Sequence, residues 1–116
     1  MNVKGIAWIG LKTGSRKKFN DARKIFSAML GKEPDAEGKD YLYFSLGDGS
    51  LLEIYMASTK KDSIVCGFAV ENIDAGTEEL RKIGVQLLGT KECDNGNCWQ
   101  HFVLPGGTEW EIKEIR

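Results

Sequence analysis

Phe44-Ser45-Leu46-Gly47-Asp48-Gly49-Ser50-Leu51-Leu52-Glu53-Ile54 and Phe102-Val103-Leu104-Pro105-Gly106-Gly107-Thr108-Glu109-Trp110-Glu111-Ile112 read as one hairpin written twice. At an offset of 58 residues, Phe44 meets Phe102, Leu46 meets Leu104, Gly49 meets Gly107, Ser50 meets Thr108, Glu53 meets Glu111 and Ile54 meets Ile112. The match includes the turn glycine and a charged residue. Neither is demanded by an apolar pattern, so duplication explains the likeness better than chance. The same offset pairs Arg23-Lys24-Ile25 with Arg81-Lys82-Ile83. Two copies cannot build an array, so the repeat belongs to one duplicated domain.

The elements around the hairpins come in the same order twice. Gly5 to Leu11 is a short apolar run that predicts a strand. Asp21 to Leu30 has apolar residues at Ala22, Ile25, Phe26, Met29 and Leu30, which is helical spacing, and Gly31 stops it. Tyr41 to Leu46 and Ser50 to Met56 are strands flanking Gly47-Asp48-Gly49. Ser63 to Val70 predicts a strand, Asp74 to Ile83 a helix stopped by Gly84, and Val85 to Leu88 a short strand. Trp99 to Leu104 and Thr108 to Ile115 flank Pro105-Gly106-Gly107.

The 116 residues suit one domain with a core of its own. Sixteen basic and 17 acidic residues give a net charge of −1. No basic excess exists to displace phosphate counterions, which argues against nucleic acid. Arg16-Lys17-Lys18 reads as a solvated helix start. No run of 18 apolar residues would span a membrane, and no signal peptide is read at the N-terminus, so the cytoplasm is expected. Cys66, Cys93 and Cys98 are too few for a disulfide framework, and free thiols are expected. Cys93 and Cys98 flank Asp94-Asn95-Gly96-Asn97. They are read as incidental surface thiols, close enough to bond if that loop is a hairpin.

Several segments resemble the vicinal oxygen chelate superfamily, which includes glyoxalases, bleomycin-resistance proteins and extradiol dioxygenases. Ile6-Ala7-Trp8-Ile9-Gly10-Leu11-Lys12 is similar to that family's first strand. Ala22 to Gly31 is similar to its first helix, which commonly ends in Leu-Gly. Phe68 to Asp74 resembles the second-module strand leading into its helix, and His101 to Ile112 the final hairpin. The resemblance covers nearly the whole chain.

It implies an α+β fold. Two paired βαβββ modules, about 1–58 and 63–116, would form a curled mixed eight-stranded sheet around a cleft within a single domain. It implies a homodimer as well. Family activities run from isomerisation and ring cleavage to drug sequestration, so the site has to decide the function.

With one strand face on the helices and the other on the cleft, alternation assigns the faces. Ile9, Leu11, Leu52, Ile54, Met56, Phe68, Val70, Trp110 and Ile112 go to the helices. The cleft then receives Trp8, Gly10, Lys12, Tyr41, Tyr43, Leu51, Glu53, Tyr55, Val65, Gly67, Ala69, His101, Val103, Glu109, Glu111 and Lys113. The candidate ligand-binding residues are Trp8, Tyr43, Glu53, Tyr55, His101 and Glu111. They suit a flat or cationic small molecule. No catalytic residue is assigned.

Metal-dependent members of the family take ligands from the first, fourth, fifth and eighth strands. Glu53 and Glu111 stand at two of these positions, but Trp8 occupies the first and Val65 the fifth, or Cys66 if the register slips. Two carboxylates alone suit zinc, iron or nickel poorly. The expectation is no metal cofactor. The alternative is a divalent metal held by Glu53, His101 and Glu111.

Three functions follow. The preferred one is a metal-free binding protein of the bleomycin-resistance or glyoxalase-like type. The second is a metal-dependent lyase, isomerase or dioxygenase using Glu53 and Glu111. The third is a dimerisation or regulatory module with a filled cleft.

Overall fold

The computed structural model describes residues 1–115. The class is α+β, with a mixed eight-stranded sheet and two helices. In chain order the elements are β1 (Val3–Thr13), α1 (Arg16–Leu30), β2 (Ala36–Glu37), β3 (Tyr41–Ser45), β4 (Leu51–Met56), β5 (Ser63–Val70), α2 (Ile73–Ile83), β6 (Gln86–Asp94), β7 (Asn97–Val103) and β8 (Glu109–Glu114). The chain forms two compact units. One comprises Met1–Trp8 with the residues from Val65 onward, and the other Ile9–Ile64.

In the Ile9–Ile64 unit, α1 starts at Ser15, whose hydroxyl accepts from Lys18 N–H, and ends at Gly31 in the left-handed conformation. A side-chain oxygen at that position satisfies one of the orphan amides of the first turn. β3 pairs antiparallel with both β2 and β4. Phe19 of α1 packs with Leu42, Phe44 and Ile54, and Leu11, Ala22, Phe26, Leu30, Leu52 and Met56 close around them. The helix-facing residues of β3 and β4 are thus those that alternation assigns. Ile9 is the exception: it is 39% exposed, while Leu11 packs.

In the other unit β5 pairs β8 in parallel, β8 pairs β7 antiparallel, and β7 pairs β6 antiparallel. Asn72 caps α2 by accepting from Ala75 N–H, and Gly84 ends it. Val70, Ile73, Leu80, Cys98, Phe102 and Ile112 form the core, with Phe68, Val85, Leu87 and Trp110 against it. Glu114 reaches back to accept from the amide of Ile73, 41 residues away, and so serves a second orphan amide of α2.

The duplicated turns share their geometry. Leu46 N–H donates to Ser50 O at 2.9 Å and Gly49 N–H to Leu46 O at 3.0 Å. In the second copy Leu104 N–H donates to Thr108 O at 3.0 Å and Gly107 N–H to Leu104 O at 2.8 Å. Gly49 and Gly107 have φ of 87° and 92°, which an L side chain adopts only with strain.

β6 is longer than the expected Val85–Leu88. It runs to Asp94 as an edge strand, its register shifting between Leu88 and Glu92. Buried Gln100 satisfies carbonyls at the shift, donating to Leu88 O and Gly89 O. The loop from Cys93 to Cys98 is a two-residue hairpin with Asn95 and Gly96 both at positive φ. The expectation of free thiols fails here: Cys93 and Cys98 face each other across the hairpin and are bonded as a disulfide. Cys66 remains a free thiol. Burial, then the charge of Glu111, pushes its pKa up. Among the described residues no helix is long and apolar enough to cross a membrane.

Candidate functional site

Each unit presents one sheet face away from its helix. In the Ile9–Ile64 unit that face follows from register. Tyr43 pairs directly with Glu53, and Tyr41 with Tyr55. Cross-strand partners share a face, so the tyrosines and Glu53 stand opposite Leu42, Phe44 and Ile54. Tyr43, Glu53 and Tyr55 are half-buried.

The second face is built on β5, β7 and β8. His101 pairs with Glu111 and Trp99 with Lys113 on neighbouring strands, while Gly67 pairs with Glu111. This observed register puts Cys66 beside Trp110, so no slip brings its thiol to the face. His101 Nε2–H donates to Glu111 Oε1 at 3.1 Å, and Glu109 Oε2 lies 3.8 Å from the same nitrogen. Glu111 is only 2% exposed, and its other oxygen, Oε2, meets no hydrogen-bond donor among the described residues. That oxygen sits over Gly67, where a Cβ would lie 2.5 Å from it and 3.4 Å from Trp8 Cε3. Glycine at position 67 is therefore what lets the carboxylate lie between β5 and Trp8. Trp8 itself is buried.

The electrostatics centre on His101. Burial pulls its pKa down. The hydrogen bond and charge of Glu111, with the charges of Glu109 and Glu92, outweigh that and raise it above the ordinary 6.5. On the same face Lys113 is 7% exposed. Its ammonium stands 5.7 Å from the centroid of the Trp8 ring and 5.2 Å from that of Trp99. Trp99 is held by its own Nε1–H, which donates to Glu92 at 2.9 Å.

The six candidate residues divide evenly. Trp8, His101 and Glu111 come together in one unit, and Tyr43, Glu53 and Tyr55 share a face in the other. Sequence reasoning placed Lys113 and Gly67 on the right face without giving either a role, and it overlooked Trp99. The signal was strand alternation: Trp99 lies two residues before His101 and so shares its face, but as the first residue of the expected strand Trp99 to Leu104 it was not assigned to either face.

A divalent metal needs more than the His101–Glu111 pair. At the first- and fifth-strand positions stand Trp8, Val65 and Gly67, which offer no donor side chain. Among the described residues no group of three or more His, Cys, Asp or Glu side chains is placed to hold a metal ion. The donor set does not fit the metal centre that the resemblance implies, and no chemistry is derived through one.

No family model matches the chain. No curated protein matches it either. Solved structures do. A methylmalonyl-CoA epimerase from Mycobacterium tuberculosis superposes with a TM-score of 0.77 at 17% identity, covering 98% of this chain and 89% of that one. The chain carries the vicinal oxygen chelate fold. A Mn(II)-bound glyoxalase from Novosphingobium aromaticivorans gives 0.75 at 17% identity, covering 97% of this chain and 39% of that one. An extradiol ring-cleaving dioxygenase from B. fuscum gives 0.72 at 15%, covering 98% and 33%. At these identities the likeness is one of fold.

Proposed function

We propose that the chain is a small-molecule binding protein of the bleomycin-resistance or glyoxalase-like type, working without a catalytic metal. The observation that carries this reading is the half-buried face of Tyr43, Glu53 and Tyr55, where aromatic rings flank a carboxylate on the side of the sheet turned away from the helix. In the other unit Trp8 stands near the His101–Glu111 pair and gives a second aromatic and acidic surface. The effect would be sequestration rather than conversion.

We propose further that the protein is a homodimer of the cytoplasm with no nucleic-acid or membrane partner. The near-zero net charge supports the absence of nucleic acid. The Cys93–Cys98 bond weighs against a reducing compartment. Alkylating the thiols at lysis and measuring the mass decides this: an oxidised pair would remove the cytoplasmic assignment.

The second reading is a divalent-metal lyase, isomerase or dioxygenase using Glu53 and Glu111. It is supported by the Mn(II)-bound glyoxalase and the dioxygenase among the structural neighbours. Metal analysis of protein purified without added metals separates the two. The binding reading expects substoichiometric metal that Glu53→Gln and Glu111→Gln leave unchanged. Stoichiometric metal lost in both variants would overturn the metal-free reading in favour of the second.

A further inference from the structure

We propose that Lys113 is the seat for an oxyanion carried on a planar aromatic ligand, with Trp8 and Trp99 as its walls. The inference rests on the small-molecule reading above and fixes the charge of the molecule. A face rich in indole and carboxylate first suggests a cationic ligand. The structure points the other way, because the rings that a cation would use are already taken. Lys113 lies within about 6 Å of both ring centroids, the range of a cation–π contact. An incoming cation would meet a like charge at both.

The carboxylates nearby are otherwise engaged. Glu111 Oε1 accepts from His101, Glu109 lies against the same imidazole, and Glu92 accepts from Trp99. None of them pairs with Lys113, which forms no ion pair or hydrogen bond among the described residues. A lysine more than nine-tenths buried thus holds three N–H donors with no acceptor among the described residues. Burying an ammonium on indole faces alone is expensive, and an oxyanion would offset the cost. Lys113 Nζ is not among the fully enclosed side-chain atoms that lack a partner, so an approach to it remains open. The Lys113–Trp99 and Glu111–His101 pairs are two residues apart along β7 and β8. The ammonium and the His101–Glu111 pair are therefore roughly 7 Å apart, two strand residues' rise, and the ligand's oxyanion sits at the ammonium.

The test compares three probes of one shape and different charge: 2-naphthoate, 2-naphthylmethylammonium and 2-naphthalenemethanol. Binding is read by calorimetry and by quenching of tryptophan fluorescence. In the unaltered protein 2-naphthoate should bind at least about tenfold tighter than either of the others, as for one charge-assisted contact. Lys113→Met keeps the stem, removes the charge and should abolish the preference, while Lys113→Arg should keep it. Equal affinities, or tighter binding of the ammonium probe, overturn the proposal even if neither variant folds, because the comparison needs only the unaltered chain. If no probe binds at millimolar concentration, the binding reading itself fails, which is a different result. 2-Naphthyl phosphate, run alongside, separates a carboxylate from a phosphate as the oxyanion.

Discussion

Replacing Gly67 by alanine puts the geometry of the site under a quantitative test. The added Cβ would lie 2.5 Å from Glu111 Oε2, nearly 1 Å inside ordinary contact, but 3.4 Å from Glu111 Cδ and Trp8 Cε3, which is tolerable. One oxygen therefore bears the clash. The carboxylate can escape only by turning, which forfeits its 3.1 Å contact with His101. A hydrogen bond to a charged group is worth about 1.5–3 kcal/mol. Alanine in a strand recovers roughly 0.5–1 kcal/mol over glycine. The net cost of Gly67→Ala should be about 1–2 kcal/mol in urea denaturation. With Glu111→Ala already in place the clash is gone, and the same change should stabilise by roughly 0.5–1 kcal/mol. The imidazole of the chain's one histidine supplies a second readout by NMR. Its pKa should fall in Gly67→Ala as it loses its partner. If Gly67→Ala costs the same in both backgrounds, within roughly 0.5 kcal/mol, the carboxylate does not lie over Gly67 and the site is wrongly drawn.

Three further outcomes follow from the same structure. The folded His101 pKa is raised, so its contribution to stability is fully present below 6.5 and is lost as pH rises through the folded value. An NMR titration should place the midpoint above 6.5, and Glu111→Gln should lower it and flatten the fall in stability. Reducing the Cys93–Cys98 bond should cost about 2 kcal/mol, the loop-entropy value for so short a loop, seen as a lower urea midpoint with dithiothreitol and no shift in Cys93→Ser. Gly49→Ala and Gly107→Ala should each cost about 1 kcal/mol or more by thermal denaturation, and by similar amounts, since both occupy the same turn position at positive φ.

Much of this architecture was legible because burial imposes a period. Leu42, Phe44, Ile54, Phe102 and Ile112 alternate with polar neighbours, and that alternation alone assigned Glu53, His101 and Glu111 to the faces away from the helices. The duplicated hairpin added register, since it placed Glu53 and Glu111 at matching positions of β4 and β8. Legibility failed where burial exerts no such pressure. β6 beyond Leu88 is an exposed edge of polar residues, Thr90 to Asp94, so no apolar pattern marked it as strand, and the pairing that joins Cys93 to Cys98 was lost with it. The Lys113 site escaped for another reason. A lysine in a strand reads as solvated, and only the β7–β8 register, with Trp8 from a distant part of the chain, reveals that it lies between two indoles.

The most direct test of a metal-free binding site is calorimetric titration of chelator-treated protein with 2-naphthoate, repeated with manganese(II) added. The expected result is saturable binding of one molecule per chain, unchanged by manganese and weakened at least about tenfold in Lys113→Met. Binding that appears only when manganese is present, with one ion taken up per chain, would contradict it.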